Sequence, residues 1–133
     1  MENIDTVFKE VARVLKPGGR FIAVLNHPVL RVPKRSSWGF DTKASVQYRR
    51  LDGYYTSSRE KMLTHPGKDS KEYTWSFHRS LEVYFKSLSK AGFSVTGLEE
   101  WISHRTSEAG SRQKAEDTSR KEFPLFLMLE SKT

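Results

Sequence analysis

Three places in the 133-residue chain bring together side chains able to do chemistry. The first is Asn26-His27-Pro28, directly after the apolar run Phe21-Ile22-Ala23-Val24-Leu25. A histidine at the end of such a run can take a proton from a hydroxyl or an amine, so His27 is a candidate general base, with Asn26 beside it to bind the same molecule. The plainer role is a histidine that only hydrogen-bonds the turn. The second place is His78-Arg79, where Arg79 can grip a carboxylate or phosphate as a planar fork. Alternatively, the pair only bonds the region before it to the start of the next helix. The third is the set Tyr54, Tyr55, Tyr73 and Trp75, which can line a pocket for an aromatic or apolar substrate or form the core of its own small region. His65 and His104 have no partners at ligand spacing, and the chain has no cysteine, so neither a thiolate nor a histidine metal site is expected.

The elements that must position these groups follow from spacing. Ile4, Val7, Phe8, Val11, Val14 and Leu15 recur at helical intervals, with Asn3 or Asp5 able to cap the start. Lys16-Pro17-Gly18-Gly19 ends that helix, because Pro17 disfavours helical geometry before it and the glycines permit a left-handed turn. The run from Arg20 to Leu25 then reads as a strand covered on both faces. Between residues 27 and 77 the pattern changes to turn formers, cations and aromatics, too long for a plain loop. We read an inserted cap containing a small antiparallel element, with Val46-Gln47-Tyr48 and Tyr73 to Phe77 as its strands. A second helix is expected from the cap residue Ser80 through Leu81, Tyr84, Phe85 and Leu88 to Ala91, closed by Gly92. Phe93 to Leu98 gives a strand interrupted at Gly97, and Leu125 to Leu129 gives the last. Residues 103–122, with five basic and four acidic side chains, are expected to be a charged mobile loop or a polar helix. The fold class is α/β, and the cap leaves the first strand at its carboxyl end, where open α/β sheets place ligands.

The net charge is +7, and residues 27–79 supply most of it, with eleven Lys/Arg against five Asp/Glu. The cations are scattered among serines, glycines and acids and form no run of the kind that marks a nucleic-acid tail, so a nucleic-acid partner is not expected. No apolar stretch approaches the roughly 20 residues of a membrane span, and the acidic start does not resemble a signal peptide. A cytoplasmic location is the expectation, in keeping with the absence of cysteine.

The segment Phe8-Lys9-Glu10-Val11-Ala12-Arg13-Val14-Leu15-Lys16-Pro17-Gly18-Gly19-Arg20-Phe21 resembles the entry to the fifth strand of class I S-adenosylmethionine-dependent methyltransferases. His78-Arg79-Ser80-Leu81, Tyr84-Phe85, Leu88 and Lys90-Ala91-Gly92-Phe93 are similar to the sixth helix and strand of that superfamily, and Pro124-Leu125-Phe126-Leu127 to its last, antiparallel strand. Small-molecule enzymes of the type 11 group are the nearest likeness. The resemblance implies that residues 1–133 are a single partial domain: the C-terminal part of a Rossmann-like methyltransferase sheet. Its three strands, the last antiparallel between the other two, would carry flanking helices and the inserted cap. It implies a small-molecule methyl acceptor held by Asn26, Tyr55, Tyr73, Trp75, His78 and Arg79, with His27 as base. The family's cofactor, S-adenosylmethionine, rests on a glycine-rich first turn and an acidic residue after the second strand. Gly18-Gly19 is not that turn, since it follows a helix and precedes a strand. The chain alone is therefore expected to bind no cofactor tightly and to be inactive. Its first strand would present an open edge, which implies a homodimer or association with an N-terminal half. The other reading is a non-catalytic module derived from such an enzyme, its basic cap holding an anionic partner.

Overall fold

A computed structural model of the protein describes residues 1–64 and 72–133; His65 and the rest of 65–71 of the expected cap lie outside the described residues. Helix α1 (Ile4–Val14) starts where Asn3 accepts the Thr6 N–H at 3.1 Å, and it buries Ile4 and Phe8. The chain then reverses within Pro17-Gly18-Gly19. Gly18 sits at φ +74°, and a Cβ on Gly19 would lie 2.7 Å from the Lys16 carbonyl oxygen, so the turn is tight enough to require glycine at both places.

Strand β1 (Arg20–Asn26) emerges directly from this turn. Helix α2 (Leu81–Lys90) leads through Gly92, at φ +89°, into β6 (Ser94–Trp101), and the chain ends on β7 (Phe126–Lys132). The sheet order is β1-β7-β6, with β7 antiparallel to both neighbours. Pairing of β6 with β7 slips between Val95 and Gly97, at the expected interruption. Both helices pack on one face of this sheet. Ile4 and Phe8 of α1, Tyr84 and Leu88 of α2, Phe93, Leu127 and Leu129 form the buried core, with Phe21, Leu25 and Val95 against it.

The expectation that β1 is covered on both faces is corrected here. Phe21, Ala23 and Leu25 turn toward the helices, whereas Ile22 and Val24 on the other face remain 46% and 48% exposed. Trp101 and Phe126 are also exposed, and β1 pairs only through β7 among the described residues. With α1 and α2 on the same side, the second face is left exposed along β1, while Met128 of the middle strand is buried there.

The cap holds two separate hairpins where one antiparallel element was expected: β2 (Ser36–Asp41) with β3 (Val46–Leu51), and β4 (Ser58–Leu63) with β5 (Tyr73–His78). Sequence alternation reveals only β3 and β5, because their partners are completed from across the pair. The Tyr48 ring lies over Gly39 of β2 and fills the place of its missing side chain. In β4, Arg59 stands 3.9 Å from the Trp75 ring centroid and Lys61 4.2 Å from that of Tyr73, so cations cover an aromatic row. Of the two alternatives for 103–122, a mobile loop or a polar helix, the polar helix forms in the second half as α3 (Gln113–Glu122). Its anchors are tertiary: Gln47 donates to the Ser119 hydroxyl at 3.0 Å, Asp117 accepts the Ser107 N–H at 2.7 Å, and Phe123 meets Trp38 edge-on at 5.5 Å.

Leu129 is wholly buried in the middle strand, so its truncation leaves a cavity that neither helix can fill alone. Leu129→Ala is expected to lower the unfolding free energy by about 3 kcal/mol in urea titrations, and a loss below about 1 kcal/mol would mean that the helices do not pack as described.

Candidate functional site at the carboxyl end of β1

The core seam fixes where β1 ends, and everything after it is built on His27. The His27 N–H continues the β1–β7 ladder to the Leu125 carbonyl at 2.9 Å, and the His27 carbonyl accepts from both Leu30 and Arg31 at 3.0 Å, closing a turn. The ring is 1% exposed. Its Nδ1 accepts the Val29 N–H at 3.1 Å, which places the ring proton on Nε2, and Nε2 donates to Glu100 Oε1 at 2.8 Å. Both nitrogens are thus engaged, and no lone pair of this imidazole faces a cavity. Arg31 is set between Leu30 and Val32, whose burial sends the arginine outward.

A cleft of about 200 Å³ opens beside Asn26, walled by Arg31, Trp75 and Phe77 from the cap and by His78, Arg79 and Tyr84 after it. It shares Asn26, Arg31, Trp75 and Ser76 with a groove of about 640 Å³ that runs between the segment 31–36 and the β4–β5 hairpin. A third hollow, of about 590 Å³, lies between the β2–β3 hairpin and α3; it is mostly apolar and shares no lining residue with the other two.

The expected site residues divide. Asn26, Trp75, His78 and Arg79 line the cleft together. His78 is 2% exposed, and its Nε2 donates to the Tyr54 carbonyl at 2.6 Å. The Tyr54 hydroxyl in turn accepts the Leu81 N–H at 3.2 Å. This phenol caps α2 while Ser80, at the N-cap position, makes no side-chain cap bond. Arg79 donates to the Met1 and Glu2 carbonyls at 2.9 and 2.6 Å, holding the chain start against the cleft. Burial pushes the Tyr84 phenol up, against the opposing charge of Arg79. Tyr55 stands 71% exposed, and neither it nor Tyr73 lines the cleft or the groove. Among the described residues no three His, Cys, Asp or Glu side chains gather as a metal site.

Sequence reasoning missed Arg31, Tyr84 and Glu100. Tyr84 was assigned to the helix's apolar face, and its hydroxyl end reaches the cleft. Glu100 lies 73 positions from His27, and only the strand order brings them together. Its one local signal was an acid near the end of a strand of otherwise ordinary composition. His27→Leu is expected to leave the Val29 N–H unpaired and to lower stability by about 1–3 kcal/mol, measured by urea unfolding. Glu100→Gln retains an acceptor for Nε2 and is expected to cost less; an equal loss would contradict the tautomer assigned here.

No family model and no curated protein matches the sequence. Solved structures do. An S-adenosylmethionine-dependent methyltransferase from Mesorhizobium loti superposes with a TM-score of 0.71 at 23% identity, covering 100% of this chain and 57% of its own. A putative S-adenosylmethionine-dependent methyltransferase from Listeria monocytogenes gives 0.72 at 24%, covering 98% and 55% respectively. The chain therefore spans little more than half the length of these neighbours. At such identities the likeness is one of fold, and together with the β1-β7-β6 order it gives the chain the architecture of the C-terminal part of the methyltransferase fold.

Proposed function

We propose that this chain is the acceptor-binding portion of a cytoplasmic S-adenosylmethionine-dependent methyltransferase acting on a small molecule. The observation that carries the reading is the cleft at the carboxyl end of β1, in a chain that superposes over its whole length on part of such enzymes. Methyl transfer to an already nucleophilic atom needs orientation and exclusion of water more than acid or base help. The residues here suit that division. Asn26 and Arg79 offer hydrogen bonds, Trp75 and Phe77 offer apolar wall, and His27 positions the turn that carries Arg31. His27 is therefore read as a positioning residue, in place of the base its sequence context suggested.

The residues present do not fit the cofactor by themselves. The only paired glycines, Gly18-Gly19, form the turn entering β1, at the opposite end of that strand from Asn26. No described helix is long and apolar enough to cross a membrane. The open β1 edge and the exposed Ile22 and Val24 favour a covering partner, either a second copy or the rest of a methyltransferase domain.

Two measurements test this. Calorimetric titration of S-adenosylhomocysteine into the 133-residue chain is expected to give no binding. A polypeptide extended in frame upstream of Met1 is expected to carry a glycine-rich turn after a strand and to bind at micromolar concentration. Micromolar binding by the 133 residues alone, or an upstream frame without that turn, would overturn the reading. Sedimentation velocity is expected to show concentration-dependent association that the double variant Ile22→Lys, Val24→Glu abolishes, and association unchanged in that variant would place the contact elsewhere.

A further inference from the structure

A small hollow of about 170 Å³ lies beside the groove and shares Arg31 and Arg49 with it. Three arginines, Arg31, Arg49 and Arg120, line it, with Leu30, Trp38, Ser103, Phe123 and Leu125 completing the wall. No carboxylate lines it among the described residues. Three like charges around so small a space repel one another; Arg49 and Arg120 are held there by hydrogen bonds to neutral acceptors, and Asp117 is a carboxylate close enough to Arg120 to feel its charge. Arg49 donates through Nε to the Leu30 carbonyl at 2.8 Å and through Nη2 to the Ser36 hydroxyl at 2.9 Å, with its guanidinium carbon 5.0 Å from the Trp38 ring centroid. Arg120 donates through Nε to the Ser107 hydroxyl at 3.0 Å. The Arg31 side chain has no hydrogen bond or ion pair among the described residues, and its backbone N–H is fixed on the His27 carbonyl at 3.0 Å. Burial and the neighbouring Arg31 charge hold the Arg49 guanidinium below its ordinary value.

We propose that Arg31, Arg49 and Arg120 form a binding pocket for the oxyanion group of a small molecule, a phosphate or a carboxylate. Arginines held by neutral acceptors keep their charge and their remaining N–H groups for a ligand, and a fork of such donors matches either oxyanion. The body of the ligand leaves the pocket past Arg31 and Arg49 into the groove, which runs on to the cleft at Asn26. That this ligand is the methyl acceptor rests on the function proposed above; the pocket itself does not.

The test uses the 133-residue chain and follows its thermal unfolding and titration calorimetry with inorganic phosphate and, separately, acetate, each against sodium chloride at equal ionic strength. Saturable binding of one or both is expected, and the anion that binds tells phosphate from carboxylate recognition. Arg31→Ala and Arg120→Gln should each weaken it about tenfold or more, the scale of losing one charge-assisted hydrogen bond. Arg31→Ala should leave the unfolding midpoint in sodium chloride unchanged, whereas Arg49→Ala removes the tie to Leu30 and is unsuitable as the sole variant. No saturable binding of either anion, or binding equally strong in both variants, overturns the proposal. Because neither readout involves S-adenosylhomocysteine or methyl transfer, failure here and failure of the methyltransferase reading are separable.

Discussion

Strand β7 is hydrogen-bonded along both edges, to β1 on one side and β6 on the other, so its backbone has no freedom left once the sheet has formed. Its side chains have little more. Leu127, Leu129 and Ser131 are wholly buried beneath the two helices, and Met128 on the reverse face is 8% exposed. This central, antiparallel strand sets the height at which β1 and β6 end. That height brings the His27 ring to the Glu100 carboxylate across it, and the turn closed by His27 then fixes Leu30, Arg31 and Val32. The cleft, the groove and the arginine pocket all take their position from that one register.

Above the sheet, the cap is held by a different kind of force. Few of its residues are buried, and the two strands within each hairpin, and the first hairpin and the start of α3, are joined by cations lying on rings. Arg49 is on Trp38, Arg59 on Trp75, Lys61 on Tyr73 and Arg112 on Phe40. Such contacts let a basic segment fold without a large apolar core, because the same side chains supply both the covering hydrocarbon and the charge. The excess of positive charge between residues 27 and 79 is therefore partly structural. What remains for a ligand is the set of N–H groups that these contacts leave free.

Local patterns in the sequence were enough to read α1, the Pro17-Gly18-Gly19 turn, α2 with its closing glycine, the irregularity near Gly97 and the apolar last strand, since each depends on neighbours within a few positions. The order of the three strands followed from the family resemblance. What spacing could not convey were features completed from far away. β2 contains Gly39 and becomes a strand because Tyr48 lies over it; β4 is a charged run whose apolar side is lent by Tyr73 and Trp75. Helix α3 has few large apolar residues and is fixed through Ser107, Gln47 and Trp38. The site was legible to the extent that it sits at the end of β1, which named Asn26, Trp75, His78 and Arg79. The roles were not legible, because whether a histidine has a free nitrogen depends on Val29 beside it and on a glutamate 73 positions away.

The β1–β7 ladder begins by pairing Arg20 with Lys132, and Thr133 donates its N–H to the Gly19 carbonyl at 3.2 Å. Strand β1 is therefore completed by residues made long after it, beyond the cap and α2. During translation α1 and β1 emerge with their apolar faces and wait, through the whole of the cap and α2, for a middle strand that is still inside the ribosome. Contacts of such long range form slowly, and intermediates that expose strand edges are the ones that aggregate or need a chaperone. Truncation within β7 would remove the strand on which both others depend, so that strand is the least expendable for folding.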